Sequence, residues 1–416
     1  MSKKVLANNA FWSLLSHVLS RGSLMLATII LARNFDASDF ASYTYFQLTV
    51  SMLAAYAALG LGVTASKYFA EIGTGKAADD SPPLGTLWCL SMLVSIFASA
   101  VVMVIPGSWL SAGLDVPRWL LAAGILSVAL NIVPNGAVLG LERYRQATIV
   151  SGVSGVLLLV GALVASNLSS PLIGMASVIA AALVQALGNS LVVINVVGWE
   201  KLTSNIGMDR INICRVLSFA GPMFFVSLMS ASGAWLIGRF ILNGQDGELA
   251  FAIYTIGLQW FSLGMLIPGM LSRVILPRLV KFTGSEESVD STKQLVQSGI
   301  IMATGSALVV AAGGLIFGPW LLVIYGDNYQ ADRWIIIAYL VIAILLAPTN
   351  IIGNAIVAND GQMSWFWLTA AWLFVLIFVG FIFGQLGAWS GAAAHAASAA
   401  ILALLSFILA RKKGLL

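Results

Sequence analysis

Apolar residues recur along this chain in blocks of about 20, each long enough to cross the hydrocarbon core of a bilayer as an α-helix. Hydrophobic residues make up 59% of the 416 residues and charged residues only 9%, too few to cover a soluble protein of this size. Backbone polar groups must be satisfied inside a bilayer, so the pattern predicts an all-α, polytopic membrane protein. We identify about 12 transmembrane helices, at residues 10–32, 42–63, 86–106, 117–140, 147–166, 172–196, 216–241, 250–272, 295–318, 332–357, 363–383 and 387–410.

Lysine and arginine are distributed unevenly between the two ends of these helices. Most of the 21 fall on one side, which we call the basic side, and Arg21 lies inside the first span. The four on the other side are Arg33, Arg118, Arg239 and Arg333. Because cytoplasmic loops are enriched in Lys and Arg, this bias places both termini in the cytoplasm, which agrees with an even number of spans.

The two halves of the chain, 1–210 and 211–416, share local features and predict two six-helix lobes. Each half has a basic residue at the end of its first span and an Arg-Trp pair at the start of its fourth: Arg33 and Arg239, then Arg118-Trp119 and Arg333-Trp334. Six spans per half make matching spans run in the same direction, which is typical of a parallel repeat about the membrane normal. We therefore expect a central cavity between the lobes.

Ionisable residues inside the predicted spans are basic or neutral, never acidic. All 17 Asp and Glu residues fall in loops or at span ends, which leaves His17, Arg21 and His395 within the membrane. A charge at that depth is costly and should face the protein interior or water. In the first span, Ser13, His17, Arg21 and Thr28 fall on one stripe of a helix, which predicts a polar wall lining a cavity.

Cations without buried acids favour an anionic substrate, and a diphosphate would find in Arg21 a fixed charge with several donors. The same pattern is unfavourable for a cationic substrate, or for Na⁺ or H⁺ carried on a carboxylate. The alternatives are that Arg21 packs against neighbouring carbonyl groups and that His17 is a neutral donor. His395 lies among alanines, and we expect it to be structural.

Further candidates for the substrate pathway lie near the span ends and on polar positions of the helices. The candidate outer rim consists of Arg33 and Arg239, the inner rim of Lys67, Arg273 and Arg278, and the polar contacts to hydroxyl-rich cargo of Gln47 and Gln259. Each type has an ordinary alternative: snorkelling to headgroups, anchoring on the basic side, or an interhelical hydrogen bond.

The sequence offers no pattern typical of an enzyme. We find no nucleotide-binding Gly-rich loop with Lys, no zinc-ligand spacing and no Ser-His-Asp arrangement. Cys89 and Cys214 lie in or beside apolar segments and are expected to be small buried hydrophobes. We therefore expect no catalytic residue, no cofactor, no metal and no nucleic-acid partner.

Several short segments resemble the bacterial polysaccharide flippases of the Wzx type. These belong to the multidrug/oligosaccharidyl-lipid/polysaccharide exporters, which also contain the MATE drug exporters and the lipid II flippases. The segments are Asn8-Asn9-Ala10-Phe11-Trp12, Ala32-Arg33, Tyr43, Leu59-Gly60-Leu61-Gly62, Leu141-Glu142-Arg143-Tyr144 and Gly247-Glu248-Leu249-Ala250. The seventh span departs from the group, since Ala231-Ser232-Gly233-Ala234-Trp235 lacks the acidic residue often found there.

The resemblance implies a protein of the bacterial inner membrane that turns a polyprenyl-diphosphate-linked oligosaccharide from the inner to the outer leaflet by alternating access. The cargo would be a repeat unit of O-antigen in lipopolysaccharide, or of capsule. Implied partners are this lipid-linked oligosaccharide, the lipid bilayer and the polysaccharide polymerase machinery. Two alternatives stay open: a MATE-like exporter of small cations, which requires a buried carboxylate, and a membrane glycan polymerase, which requires a large outer loop with catalytic residues.

Overall fold

A computed structural model describes residues 3–58, 60–73, 84–203, 210–244, 246–272, 275, 288–326, 329, 332, 334–359 and 361–416. Within these ranges the chain is helical, without a β-strand, which confirms the all-α prediction. The helices are α1 Lys3–Asn34, α2 Ala37–Ala57, α3 Leu61–Gly73, α4 Leu84–Val104, α5 Gly107–Ser111, α6 Arg118–Leu130, α7 Ile132–Gly140, α8 Tyr144–Asn167, α9 Pro171–Val197, α10 Trp199–Thr203, α11 Arg210–Leu242, α12 Gly247–Gly264, α13 Leu266–Ser272, α14 Ser288–Tyr325, α15 Ile335–Ala358, α16 Gln362–Ile382 and α17 Ala388–Lys412. A 3₁₀ turn, Gly384–Leu386, separates the last two.

The helices are long and apolar enough for a multi-pass membrane protein. In the described part of the chain, 10 helical segments could each cross a bilayer, and the pair α12–α13, bent by 46°, provides an eleventh. Helix α2 occupies the position of the predicted second span. The prediction of about 12 transmembrane helices fits this arrangement.

The second span differs from its prediction at residues 42–63. Helix α2 ends at Ala57, Gly60 has a φ of +73°, and a separate helix, α3, runs on to Gly73. A positive φ interrupts a right-handed helix and is readily adopted only by glycine. The predicted single apolar span is therefore two helices, and the second extends beyond the predicted end.

Helix ends follow from local sequence. The Asp36 carboxylate accepts a 2.8 Å hydrogen bond from the Asp39 backbone N–H, so the acidic turn after α1 caps the start of α2. Pro171 occupies the first turn of α9, where its missing N–H costs nothing, and Gly198, with a φ of +90°, ends that helix.

Contacts between Cα atoms divide the chain into two compact units, Met1–Ala231 and Ser232–Leu416, which we call unit 1 and unit 2. The division falls within α11. The lobe boundary predicted between residues 210 and 211 lies beside residues 204–209, which are outside the described ranges, and it stays a prediction.

Unit 1 is built on close helix pairs, chiefly α1 with α8, α8 with α9, α3 with α7 and α4 with α6. Glycine lets the backbones of α3 and α7 approach closely. A Cβ added at Gly136 would meet the backbone oxygen of Gly62, and a Cβ added at Gly140 would meet the backbone oxygen of Ser66. Small residues at helix contacts are the usual way for membrane helices to pack closely.

Unit 2 is built on the pairs α14 with α15, α16 with α17, α15 with α17 and α12 with α15. At its centre the buried rings of Tyr254, Tyr339 and His395 lie with centroids 5.8–6.2 Å apart. The Tyr254 hydroxyl donates to the Ala234 carbonyl oxygen at 2.8 Å and lies 3.3 Å from His395 Nε2. His395 is thus part of an aromatic packing cluster, which is the structural role expected from its sequence context.

Candidate functional site

The orientation of α1 is set by its contact with α8. Ser16 Oγ lies 3.0 Å from Ser151 Oγ, so one hydroxyl donates to the other across the helix pair. Seven residues, or two turns, further along α1, Ser23 packs against Gly155, where an added Cβ would lie 2.7 Å from Ser23 Oγ. These two serines fall on the same face of α1. That face is therefore the one turned toward α8.

Arg21 lies on the opposite side of α1 from Ser16 and Ser23. Its side chain is exposed, and it forms no hydrogen bond or ion pair with the described part of the chain. His17, one turn earlier on the same side, is half-buried. His17 and Arg21, the two basic residues of the predicted stripe, thus lie on one face of α1. No carbonyl group of the described residues bonds to Arg21.

Thr28, the last residue of the predicted stripe, is fully buried against α2. Gln47 Nε2 donates to the Tyr43 hydroxyl at 2.6 Å, that hydroxyl lies beside the Thr28 side chain, and Thr28 Oγ1 donates to the Leu24 carbonyl oxygen at 2.9 Å. These contacts place the C-terminal half of α1 against α2. The stripe therefore divides into an open part at Arg21 and a closed part at Thr28.

The predicted rim residues are placed at helix ends or next to aromatic rings. Arg33 is exposed in the last turn of α1. The exposed Lys67 has its Nζ 5.5 Å from the centre of the Tyr68 ring, and half-buried Arg239 has its Cζ 5.6 Å from the Trp235 ring. Arg273 and Arg278 lie outside the described residues. A pathway role for these five residues stays a prediction.

Polar side chains inside the helices are joined to one another. Gln259 Oε1 accepts from the Tyr325 hydroxyl at 3.3 Å, which links α12 to α14. In unit 1, Asn131 Nδ2 donates to Gln185 Oε1 at 3.1 Å, and Asn189 Nδ2 donates to Asn131 Oδ1 at 2.9 Å. Asn189 was not singled out by the sequence analysis, although its position one turn after Gln185 in α9 places it on the same face.

Among the residues whose side chains the structure describes, no Asp or Glu is buried. No three His, Cys, Asp or Glu of the described residues come together as metal ligands would. On the open face of α1, the positive charge of Arg21 is therefore not balanced by a buried carboxylate whose side chain the structure describes. A charge in this setting is favourable for a group that carries its own negative charge.

Comparison with known proteins identifies the family. A family model described as "Polysaccharide biosynthesis protein" matches residues 6–283, which is more than half of the chain. The chain belongs to this polysaccharide biosynthesis protein family. The membership confirms the resemblance drawn from the sequence motifs.

Two proteins with curated descriptions are similar to this chain. The chain is 20% identical over 405 residues to the EPS I polysaccharide export inner membrane protein EpsE of Ralstonia solanacearum, covering 94% of this chain and 89% of the relative. It is 21% identical over 343 residues to the protein of the same name from Ralstonia nicotianae, covering 77% and 74%.

Solved structures similar to this family member are transporters of the MOP superfamily. An inward-facing MATE family transporter superposes with a TM-score of 0.74 at 17% identity, covering 96% of this chain and 94% of that one. An outward-facing one gives 0.72 at 16% identity, covering 99% and 96%. A MOP superfamily transporter from Pyrococcus furiosus, whose binding pocket has reverse polarity, gives 0.73 at 17%, also covering 99% and 96%. These similarities show the transporter fold.

Proposed function

We propose that this protein is a flippase that moves a polyprenyl-diphosphate-linked oligosaccharide from the inner to the outer leaflet of the bacterial inner membrane. It belongs to a polysaccharide biosynthesis family, and its relatives are named as polysaccharide export proteins of the inner membrane. Both termini lie in the cytoplasm, so the basic side is the cytoplasmic side. The protein is a transporter, and no chemical step is assigned to it.

The observation that carries this proposal is the open guanidinium of Arg21 on the face of α1 turned away from α8. A guanidinium binds phosphate oxygens through two parallel N–H donors, and the bond is strongest where water is scarce. His17 adds a second donor one turn away. The diphosphate rests on Arg21 and His17, while the sugars cross in a hydrated space and the lipid tail stays in the bilayer.

The rim cations serve as secondary contacts at the two membrane faces. In this proposal Arg33 and Arg239 attract the diphosphate on the outer side, and Lys67, Arg273 and Arg278 on the cytoplasmic side. Gln47 and Gln259 offer polar contacts to hydroxyl groups. Release to the outer leaflet delivers the repeat unit to the polysaccharide polymerase machinery.

Alternating access is supported by the fold. Transporters with the same fold have been solved in inward-facing and outward-facing conformations. A fixed site that is reached from one side at a time lets the diphosphate cross without exposing its charge to hydrocarbon. We propose the same cycle for this protein.

A MATE-like exporter of small molecules is the second candidate, because its fold is the same. A cationic substrate needs an anionic partner inside the membrane, and no carboxylate is buried among the residues whose side chains the structure describes. The charge of the α1 face therefore favours the flippase over the exporter, and the export names of the relatives favour it over a glycan polymerase.

Deletion of the gene tests the proposal. We expect a polyprenyl-diphosphate-linked oligosaccharide to accumulate in the inner leaflet, measured by mass spectrometry of lipid extracts with leaflet accessibility determined in the same cells. Plasmid-borne wild-type protein is the control and should restore surface polysaccharide. Normal lipid-linked sugars in both leaflets together with altered drug sensitivity would overturn the flippase and support the exporter.

A further inference from the structure

We propose that a pocket at the basic side of unit 1 binds one sugar of the lipid-linked oligosaccharide before translocation. The pocket, which we call the Trp12 pocket, has a volume of about 280 Å³. Its lining consists of Asn8, Asn9, Trp12, Glu142, Arg143, Arg145 and Gln146. Sites for small molecules start at roughly 300 Å³, so the pocket suits a single monosaccharide and not a whole repeat unit.

The Trp12 pocket forms where the start of α1 meets the turn between α7 and α8. Asn9 Nδ2 donates to Glu142 Oε2 at 3.0 Å, and Thr148 Oγ1 donates to the Trp12 carbonyl oxygen at 2.8 Å. Two of the segments that carry the family resemblance, Asn8 to Trp12 and Leu141 to Tyr144, are thereby brought into one site. Neither segment contains Arg21 or His17.

The turn that supplies Glu142 has an unusual backbone conformation. Glu142 has a φ of +55°, in the left-handed region that non-glycine residues seldom adopt. Such conformations persist where the surrounding structure enforces them, and they cluster at binding sites. The conformation holds an exposed carboxylate at the edge of the Trp12 pocket, beside Asn9.

An aromatic ring and fixed polar groups line the Trp12 pocket together. Trp12 Nε1 donates to Asn8 Oδ1 at 3.2 Å, and Arg145 Cζ lies 5.8 Å from the centre of the Trp12 ring. Both contacts hold the indole in place. A rigid indole with polar groups at its edge can contact the apolar C–H face of a sugar while those groups bind its hydroxyls.

The polar groups of the Trp12 pocket include both donors and acceptors, which selects the class of ligand. Gln146 is half-buried at the pocket, and its Oε1 accepts no hydrogen bond from the described residues, so a ligand that donates would satisfy it. Glu142 is also an acceptor, while Arg143 and Arg145 are donors. A phosphate offers acceptors only, would be repelled by Glu142 and would leave Gln146 Oε1 unsatisfied. A sugar hydroxyl both donates and accepts, and therefore matches the whole set.

This inference rests on the proposed function, since the sugar is part of the flippase substrate and the pocket lies on the cytoplasmic side. A pocket that reads one sugar there would select the correct repeat unit before it crosses the membrane. Arg21 would bind the diphosphate that all such substrates share. The Trp12 pocket is therefore a specificity-determining site.

Binding to the full-length protein in lipid nanodiscs tests the proposal. The two probes are lipid-linked oligosaccharide extracted from the gene-deletion strain and polyprenyl diphosphate without sugars. We expect Gln146→Leu and Glu142→Gln each to weaken binding of the oligosaccharide probe by about ten-fold and to leave the sugar-free probe unchanged. Glu200→Gln, which alters another exposed carboxylate on the same side, should bind both probes like the wild type.

The outcomes separate the two proposals. If the wild type binds the oligosaccharide probe and both variants bind it with the same affinity, the Trp12 pocket proposal is overturned and the flippase proposal stands. An equal loss for both probes would mean a phosphate site and would also overturn the sugar assignment. If the wild type binds neither probe, the flippase fails and the pocket proposal fails with it. The thermal unfolding temperature of each variant separates a phosphate site from a folding defect, because only the defect lowers it.

Discussion

Ser16 and Ser151 meet across the α1–α8 pair with their hydroxyl oxygens 3.0 Å apart, and this contact fixes which side of α1 carries Arg21. Because Ser16 faces α8, Arg21 lies on the far side of the helix and its guanidinium stays open. The substrate proposal depends on this orientation.

Close packing of α3 on α7 predicts a strong effect of a single methyl group. A Cβ at Gly136 would meet the Gly62 backbone oxygen, which cannot move aside as a flexible side chain can. We expect Gly136→Ala to destabilise the protein by about 1–3 kcal/mol, measured as a lower thermal unfolding temperature in detergent. Gly313→Ala is the matched control, because an added Cβ there meets nothing within 4 Å, and it should not lower the unfolding temperature. Equal unfolding temperatures for Gly136→Ala and the wild type would contradict the close packing.

The amide network between α9 and the α6–α7 junction predicts a second effect on stability. Replacing Asn131 by Leu leaves Gln185 Oε1 without its donor and Asn189 Nδ2 without its acceptor. We expect Asn131→Leu to cost about 1–3 kcal/mol. Exposed Asn135, one turn further on, provides the control variant Asn135→Leu, which should be close to neutral.

A double variant tests whether Asn131 and Gln185 act as a pair. We expect the combined loss in Asn131→Leu/Gln185→Leu to be smaller than the sum of the two single losses, because each single change already breaks the shared hydrogen bond. Thermal unfolding of all four proteins measures this coupling. Strict additivity would show that the bond contributes nothing to stability.

His395 is predicted to be a packing residue without a role in transport. The Tyr254 hydroxyl keeps its 2.8 Å bond to the Ala234 carbonyl when His395 is absent, and a phenylalanine ring preserves the stacking. His395→Phe should therefore export polysaccharide at the wild-type rate, with the same dependence on external pH. A changed pH profile in that variant, at normal protein levels, would instead assign proton binding to His395.

Hydropathy predicts the order and the approximate number of the membrane spans because each span must bury about 20 residues in hydrocarbon. It does not predict interruptions within a span, since apolar residues continue through them. Positive φ at Gly60 divides α2 from α3, and the 46° bend between α12 and α13 falls inside the predicted span 250–272. Neither interruption changes the hydrophobic pattern.

The sequence placed Arg21 and His17 on one helical face, because that relationship depends only on the 3.6-residue repeat. Which face meets α8 depends on contacts with residues more than 130 positions away, such as Ser151. For the same reason the sequence does not predict the Trp12 pocket, although both of its segments carry the family resemblance. Their juxtaposition follows from the packing of α1 on α8, which spacing in the chain does not reveal.

The most direct test of the flippase is the charge at position 21. Arg21→Ala, Arg21→Lys and the control Arg411→Ala should be expressed in the deletion strain at equal levels, with surface polysaccharide and inner-leaflet lipid-linked oligosaccharide measured together. We expect Arg21→Ala to lower export by about ten-fold or more and to accumulate the precursor, because it removes charge-assisted hydrogen bonds. Arg21→Lys should be intermediate, since it keeps the charge without the planar fork, and the control should match the wild type. Wild-type export by Arg21→Ala at normal protein levels would contradict the account.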